Sequence, residues 1–357
     1  YASSEAAHRA AAPALARAFV HDETASEANA DDAAVSGEFG RTEVRPTVFE
    51  APAIGLSLDD RLRRAAQLAD YLKSARPKLY DEPAVRFAEV AALRHLGYSN
   101  PAKRYFLSFG DRPPSDTWRR CAETEQWLAQ PDGQPPPKVL AACRRTLERP
   151  HLDGILDEPF WDAADRMRLR GETDVGRTIM SADELDVGRT IMSADGNNTT
   201  DRVVHPTAVR LAYDDAFLYI AVRCPKAIAV GYRPDDSPRP HDADLSQFDR
   251  VSLQLDVDRD FTTAFQLTVD HRGWTHDACW GDATWNPSWY VAAASDEATW
   301  TIEAAVPLAE LTASAPAPKH VWAVAARRTI PRVGHESWTG AAAASHSPDQ
   351  FGLLIFE

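Results

Sequence analysis

VRLAYDDAFLYIAVRC, Val209 to Cys224, decides how the second half of this chain folds. Apolar residues alternate on both sides of Asp214-Asp215, and alternation around a short acidic centre reads as a β-hairpin. The same period of two recurs in RVSLQLDVD (250–258), AFQLTVDHRG (264–273), TWTIEAAVP (299–307), VWAVAARRTIP (321–331) and FGLLIF (351–356). Clusters of Pro, Gly and Asp separate these runs. Short strands at such spacing imply an antiparallel β-sandwich.

Toward the N-terminus the period changes to that of helices. Ser57 with Asp60 is a capping-box variant, and Leu58, Leu62, Ala65, Ala69 and Leu72 form one stripe before Pro77. Asp81 and Pro83 open a second helix that ends before Gly97, Asn100-Pro101 opens a third running to Gly110, and a fourth fits Asp116 to Ala129. LRHLGYSNPAKRYFLSF (93–109) is similar to a single tetratricopeptide-type helix-turn-helix, a pattern it shares with ordinary helical hairpins. QPDGQPPPK (130–138) breaks the helical pattern, because consecutive prolines favour extended structure.

The expected organisation is therefore α+β and multidomain. An arm spans residues 1–56, a helical region 57–130, a Pro-rich linker 131–142 and an antiparallel sandwich 143–357. The arm joins an Ala-rich stretch (6–19) to an acidic stretch (21–52) that buries too little apolar area to offset chain entropy alone, so that either the chain's own domains or a partner is expected to hold it. DVGRTIMSAD occurs at 174–183 and again at 186–195. Two copies of turn-forming residues do not make a solenoid, so the duplication reads as a lengthened loop, with a flap that contacts a partner as the alternative.

A net charge of −14 argues against a nucleic-acid groove or an anionic membrane surface, both of which require clustered Lys and Arg. No apolar run reaches the roughly 20 residues that span a bilayer. The first residue is Tyr rather than Met, which leaves room for a removed export signal or anchor. Cys121, Cys143, Cys224 and Cys279 lack CxxC spacing, which removes the usual zinc and redox readings and leaves two disulfides or four buried thiols. GxSxG, HExxH, Walker and GxGxxG motifs are absent, so the chain is read as non-catalytic.

HLDGILDEPFWDAA (151–164), VRLAYDDAFLYIAVRC (209–224), FDRVSLQLDVDRD (248–260), ATWTIEAAVPLAEL (298–311) and SPDQFGLLIF (347–356) occur in this order. Together they resemble the family 9 carbohydrate-binding module (CBM9) and the wider group of DOMON-like sandwiches. With the helical N-terminal part, the chain looks like exported proteins of planctomycete-type bacteria. The resemblance implies an exported protein, periplasmic, at the cell surface or extracellular, and in that setting we expect the cysteines to pair. Sugar-binding members hold a terminal sugar between two tryptophans, one shortly before the D-x-V strand and one shortly before the final P-x-x-F-G. Here ADLSQFDRV (243–251) and AASHSPDQF (343–351) carry no Trp, and Phe248 and His346 are the nearest rings.

A compensating aromatic cluster, Trp274, Trp280, Trp285 and Trp289, is interleaved with His271, His276, Asp277, Asp282 and Asn286. An aromatic face covers the C–H face of a pyranose while carboxylates and amides bind its hydroxyls. The ligand candidates are thus Trp274, Trp280, Asp282, Trp285, Trp289, Trp338 and His346. Asp242, Asp244 and Asp249, beside His241 and near Asp256, Asp258 and Asp260, offer hard oxygens for a structural calcium, which the resemblance also implies. Solvated turn aspartates are the plainer reading of the same residues. The leading functional expectation is an accessory or structural subunit of an exported assembly, docking on protein partners through the sandwich. The alternative is glycan binding. A haem-binding variant, using one of Met167, Met180 or Met192, is the distant third.

Overall fold

The computed structural model describes residues 58–131, 133–171, 206–228, 230–233, 237, 240, 242–340 and 347–357. The arm, the duplicated segment, Met180, Met192, His241 and His346 lie outside the described residues.

Among the described residues, five helices come first: α1 (Leu58–Ala75), α2 (Pro77–Tyr80), α3 (Pro83–His95), α4 (Ser99–Leu107) and α5 (Thr117–Ala129). Their ends follow the sequence signals. Pro83 sits in the first turn of α3, Gly97 lies just past its end at φ +87°, and Asp116 caps α5 by accepting the Arg119 N–H at 2.8 Å. Leu62 and Ala65 of α1 bury against Val85, Ala88 and Ala92 of α3. The hairpin read as a tetratricopeptide unit is α3–α4, one part of this five-helix layer.

The strands are β1 (Leu140–Arg145), β2 (Met167–Arg168), β3 (Arg170–Gly171), β4 (Ala208–Tyr213), β5 (Phe217–Pro225), β6 (Arg250–Asp256), β7 (Phe265–Asp270), β8 (Thr275–Cys279), β9 (Tyr290–Ser295), β10 (Thr299–Pro307), β11 (Val321–Ile330), β12 (Gly334–Ser337) and β13 (Gly352–Phe356), with a short helix α6 (Pro159–Ala163) after β1. They form one curled sheet in the order β8-β7-β6-β11-β13-β1-β4-β5-β10-β9. It doubles back on itself as a sandwich. β1 is the fold line: Leu140 to Cys143 pair with β13, then Arg144 and Arg145 pair with β4. Both pairings are parallel, a departure from the all-antiparallel expectation. β1 also begins inside the span read as a linker, since Leu140 already pairs with Leu353.

Period-two alternation places Leu211 and Tyr213 of β4, Leu253 and Leu255 of β6 and Trp322 and Val324 of β11 in the central core. β5 is apolar on both faces because α6 covers its outer side, where Trp161 packs with Tyr219 and Ala221. All four cysteines are buried free thiols, correcting the disulfide expectation. Cys121 belongs to the helical layer, while Cys143, Cys224 and Cys279 belong to the sandwich core, each thiol pushed up in pKa by burial. Met167 is 1% exposed and packs in that core.

The helical layer covers the outer face of β11. Phe87, Phe106 and Phe109 share one cluster with Phe261, Ala323, Ala325 and Phe351. A buried ionic clamp closes the same contact: Glu125 of α5 lies between Arg94 of α3 and Arg259 of the β6–β7 loop.

Candidate functional site

Beside the helical layer, the outer face of the sheet stays open and polar. Residues that alternate with the core positions of β6, β7, β8 and β11 lie in rows across the strands, because side chains at paired register positions share a face. One row runs Ser337, Arg327, Ser252, Thr268 and His276 over five strands. The next holds Ala325, Gln254 and Gln266, and on the other side Thr329 faces Arg250. Ser252 and Thr268 hydroxyls meet at 3.0 Å, Gln266 donates to Thr268 at 3.3 Å, and Gln254 donates to Gln266 at 3.4 Å.

Two walls turn this face into a groove of about 550 Å³. One is the loop Asp242–Ser246, and the other is the 3-10 turn Pro348–Gln350 that follows Ser347. That turn is tied to α5, since Asp349 accepts from Thr117 at 2.5 Å and from Arg120 at 2.5 Å. Arg250 is anchored beneath the first wall, its Nη1 donating to the carbonyls of Leu245 (3.0 Å), Ser246 (3.1 Å) and Phe248 (3.2 Å). Burial and the neighbouring Arg327 lower the Arg250 pKa. Asp244 accepts the Ser246 N–H at 2.9 Å, which holds its carboxyl below the usual range. Asp242 faces His276 Nδ1 at 3.7 Å. The floor therefore offers hydroxyls, amides and two guanidinium groups within one walled space.

Of the residues expected to bind ligand or metal, Asp242 and Asp244 line this groove. The tryptophans and Asp282 do not. Trp285 is 8% exposed and packs on Phe265 with centroids 4.8 Å apart, so it is core. Trp280 and Trp289 pack against that core, and Trp289 Nε1 donates to Asp277 at 3.2 Å. Trp274 lies against the Arg272 guanidinium, 3.8 Å from its ring centroid, and Asp282 closes a local turn by accepting from Thr284. Trp338 sits over Gly352, where a Cβ would come within 2.6 Å of its ring. Phe248 has Arg272 at 3.5 Å from its centroid, so one face of the ring is already covered.

Asp249 is a structural anchor rather than a metal ligand. It is 0% exposed, and its oxygens accept from Arg328 (2.9 and 2.6 Å), Trp300 (3.0 Å) and Tyr232 (2.6 Å). Burial works against the Arg328 charge, but hydrogen bonding to Asp249 more than offsets it and raises the Arg328 pKa. Removing one partner of such a pair typically costs about 3–5 kcal/mol, because the other charge is left buried alone.

The carboxylates that do converge are Asp256, Asp258 and Asp260, each offering an oxygen within 4.8 Å of the others. Burial, reinforced by the neighbouring aspartates, raises Asp256 well above its ordinary pKa, and burial with Asp258 raises Asp260 to about 8. Three buried carboxylates repel one another, and hard oxygen donors of this kind suit a divalent cation such as calcium.

The floor residues Ser252, Gln254, Gln266, Thr268 and Arg327 were not singled out from the sequence. Their signal was present as the polar half of the strand alternation, but polar alternates mark any outer sheet face. Only the walls make this face a site.

No family model matches the chain, and no curated protein matches it. Among solved structures, a CBM9 module of Caldicellulosiruptor kristjanssonii in complex with cellotriose is similar, at 12% identity and a TM-score of 0.37 over 61% of this chain and 94% of that one. The same organism's CBM9 in complex with glucose gives 12% and 0.36 over 60% and 95%. A Bacteroides uniformis protein described as a carbohydrate-binding candidate gives 11% and 0.37 over 62% and 100%. Likenesses this distant carry no argument about what this chain binds.

Proposed function

We propose that this chain is a non-catalytic carbohydrate-binding protein whose site is the groove over β6, β7, β8 and β11. One observation carries the reading: the walled row of hydrogen-bonding side chains, Arg327, Ser252, Thr268 and His276, flanked by Gln254 and Gln266. Interfaces that dock proteins centre on desolvated aromatic and aliphatic anchors. This floor instead presents donors and acceptors side by side at strand spacing, about 4.7–4.9 Å apart across the sheet, groups suited to hydrogen bonding the hydroxyls of a sugar. The geometry therefore favours the glycan alternative over protein docking.

The test is an oligosaccharide array followed by titration calorimetry on the binders, with the double variant Gln254→Ala/Gln266→Ala. A glycan bound by the native chain and lost at least about tenfold in the variant, at unchanged melting temperature, is the expected result. If no oligosaccharide binds, the reading fails. The calcium expected from the sequence has its best donor set at Asp256, Asp258 and Asp260, and its role there is to hold the β6–β7 loop rather than to touch ligand.

A further inference from the structure

Building on the carbohydrate reading, we infer that the groove takes an internal stretch of a linear, uncharged glycan, several units long and laid across the strands. The first reason is the direction that the walls impose. The Ala243 N–H donates to the Thr275 carbonyl at 3.1 Å, at the start of β8, and Arg250 holds the Leu245 and Ser246 carbonyls at the start of β6. Between them β7 ends at Asp270, paired with Arg250, so the first wall follows one end of all three strands. The second wall stands at the other end. Gly352, two residues after Gln350, pairs with Val324 near the start of β11, whereas Thr329 near the end of β11 pairs with Arg250. A chain held between these walls has its long axis along the row from Ser337 to His276, across the strands.

The second reason is the length of that row set against the strength of its contacts. Ser337 and His276 are four inter-strand steps apart, roughly 19 Å at about 4.7–4.9 Å a step. A single sugar ring covers only part of it. Among the described residues, the one aromatic ring lining the groove is that of His276, at the β8 end. A single unit therefore meets a few hydrogen-bonding groups and no broad stacking face, and each neutral hydrogen bond gains little net over water. The translational and rotational freedom lost on association is lost once, whatever the chain length. Each further unit that reaches the floor therefore adds affinity.

The third reason is charge. Asp242 and Asp244 balance Arg250 and Arg327 on the lining. These groups also serve the protein itself: Arg250 donates to three carbonyls, Asp244 accepts the Ser246 N–H, and Asp242 and Arg327 have partners of their own. The neutral groups Ser252, Gln266 and His276 are left to carry the contact, the Ser252 hydroxyl being set by the buried Thr268 hydroxyl at 3.0 Å. A net charge of −14 on the whole chain further disfavours an acidic polymer.

The experiment is calorimetric titration with malto-, xylo- and manno-oligosaccharides of one to six units, with any series the array returns, and with the parent soluble polysaccharides. Each oligosaccharide is also tested after reduction of its chain end to the alditol, and oligogalacturonate is the acidic control. The expected result is at least one neutral series whose affinity climbs about tenfold or more from the disaccharide to the tetrasaccharide, with longer alditols binding like the free sugars. The polymer of that series is expected to bind several protein molecules per chain, which chain ends alone could not do. Ser252→Ala, in the middle of the row, is expected to weaken the tetrasaccharide about fivefold, while His276→Ala, at the row's end, removes only the gain from the last unit, both at unchanged melting temperature. If a mono- or disaccharide binds as tightly as the hexamer, if reducing the chain end abolishes binding, or if oligogalacturonate binds more tightly than every neutral series, this inference is overturned and the carbohydrate reading stands. If the array and these titrations yield no binder, both fall.

Discussion

Gly154, in the DGILDEPFW stretch, shows how one residue fixes a loop. It sits at φ +84°, and a Cβ there would stand 2.6 Å from the Ala294 nitrogen and 2.7 Å from the Ala293 carbonyl carbon of β9. Backbone cannot yield as a side chain can, and the left-handed conformation adds its own penalty. Gly154→Ala is expected to cost roughly 2–4 kcal/mol in denaturant unfolding, against under about 0.5 kcal/mol for an ordinary surface change. The loop rests on Glu303, whose buried carboxylate accepts from Gly154 N (3.1 Å), Asp153 N (3.2 Å) and Trp161 Nε1 (2.9 Å). Burial raises its pKa to about 7 and the nearby Glu158 adds to the rise, while these donors, Trp161 foremost, pull the other way. The folded state therefore holds a proton that the unfolded chain releases near pH 4.5, so stability is expected to decrease as pH rises from about 4.5 to 7. The change is on the order of 3 kcal/mol. Glu303→Gln is expected to flatten that slope in denaturant titrations across the window. An unchanged slope would assign the effect elsewhere.

Among the elements, the β6–β7 loop ties the sheet to the helical layer. Phe261 enters the helical cluster, Thr262 Oγ1 donates to the Ala84 carbonyl at 3.2 Å, and Arg94 donates to the Asp258 carbonyl. Asp256, Asp258 and Asp260 stand in the same loop, so a cation bound there holds both layers. Calcium is expected to raise the melting temperature and a chelator to lower it, by about 5 °C if calcium is near a hundredfold over its dissociation constant. Asp256→Asn/Asp260→Asn is expected to remove the response, and a native chain indifferent to calcium would leave these carboxyls protonated instead. This loop also marks the limit of sequence reading. The β4–β5 hairpin, β6, β7, β10, β11 and β13 were legible because their alternation is long and bulky. LAACRR of β1 and VAAAS of β9 were not, since alanines give a weak period and β1 follows the proline run directly. The tryptophans misled for a different reason: an amphipathic ring suits a core edge as well as a sugar, and only its neighbours decide.

At the scale of the molecule, the sequence suggests two domains joined by a linker, and the structure answers with a shared interface. Prolines 135 to 137 do mark the passage from helices to strands, but Lys138 is 8% exposed and donates to the Pro348 carbonyl at 2.8 Å. Composition shifts report where the local period changes; they do not report whether the two sides bury surface on each other. Here Phe87, Phe106 and Phe109 cover Phe261, Ala323, Ala325 and Phe351, with the Glu125 clamp closing the contact. A chain beginning at Gln134 would expose that patch and lose both arginine–glutamate pairs. It is expected to melt about 10 °C or more below the full chain, or to aggregate, whereas the full chain unfolds in one transition. The same truncation reaches the groove, because its second wall, the turn at Gln350, is held by Asp349 to Thr117 and Arg120 of α5. Ligand affinity is therefore expected to fall together with stability. A truncated sandwich that melts and binds like the full chain would show that the helices form an independent domain and that the wall stands without them.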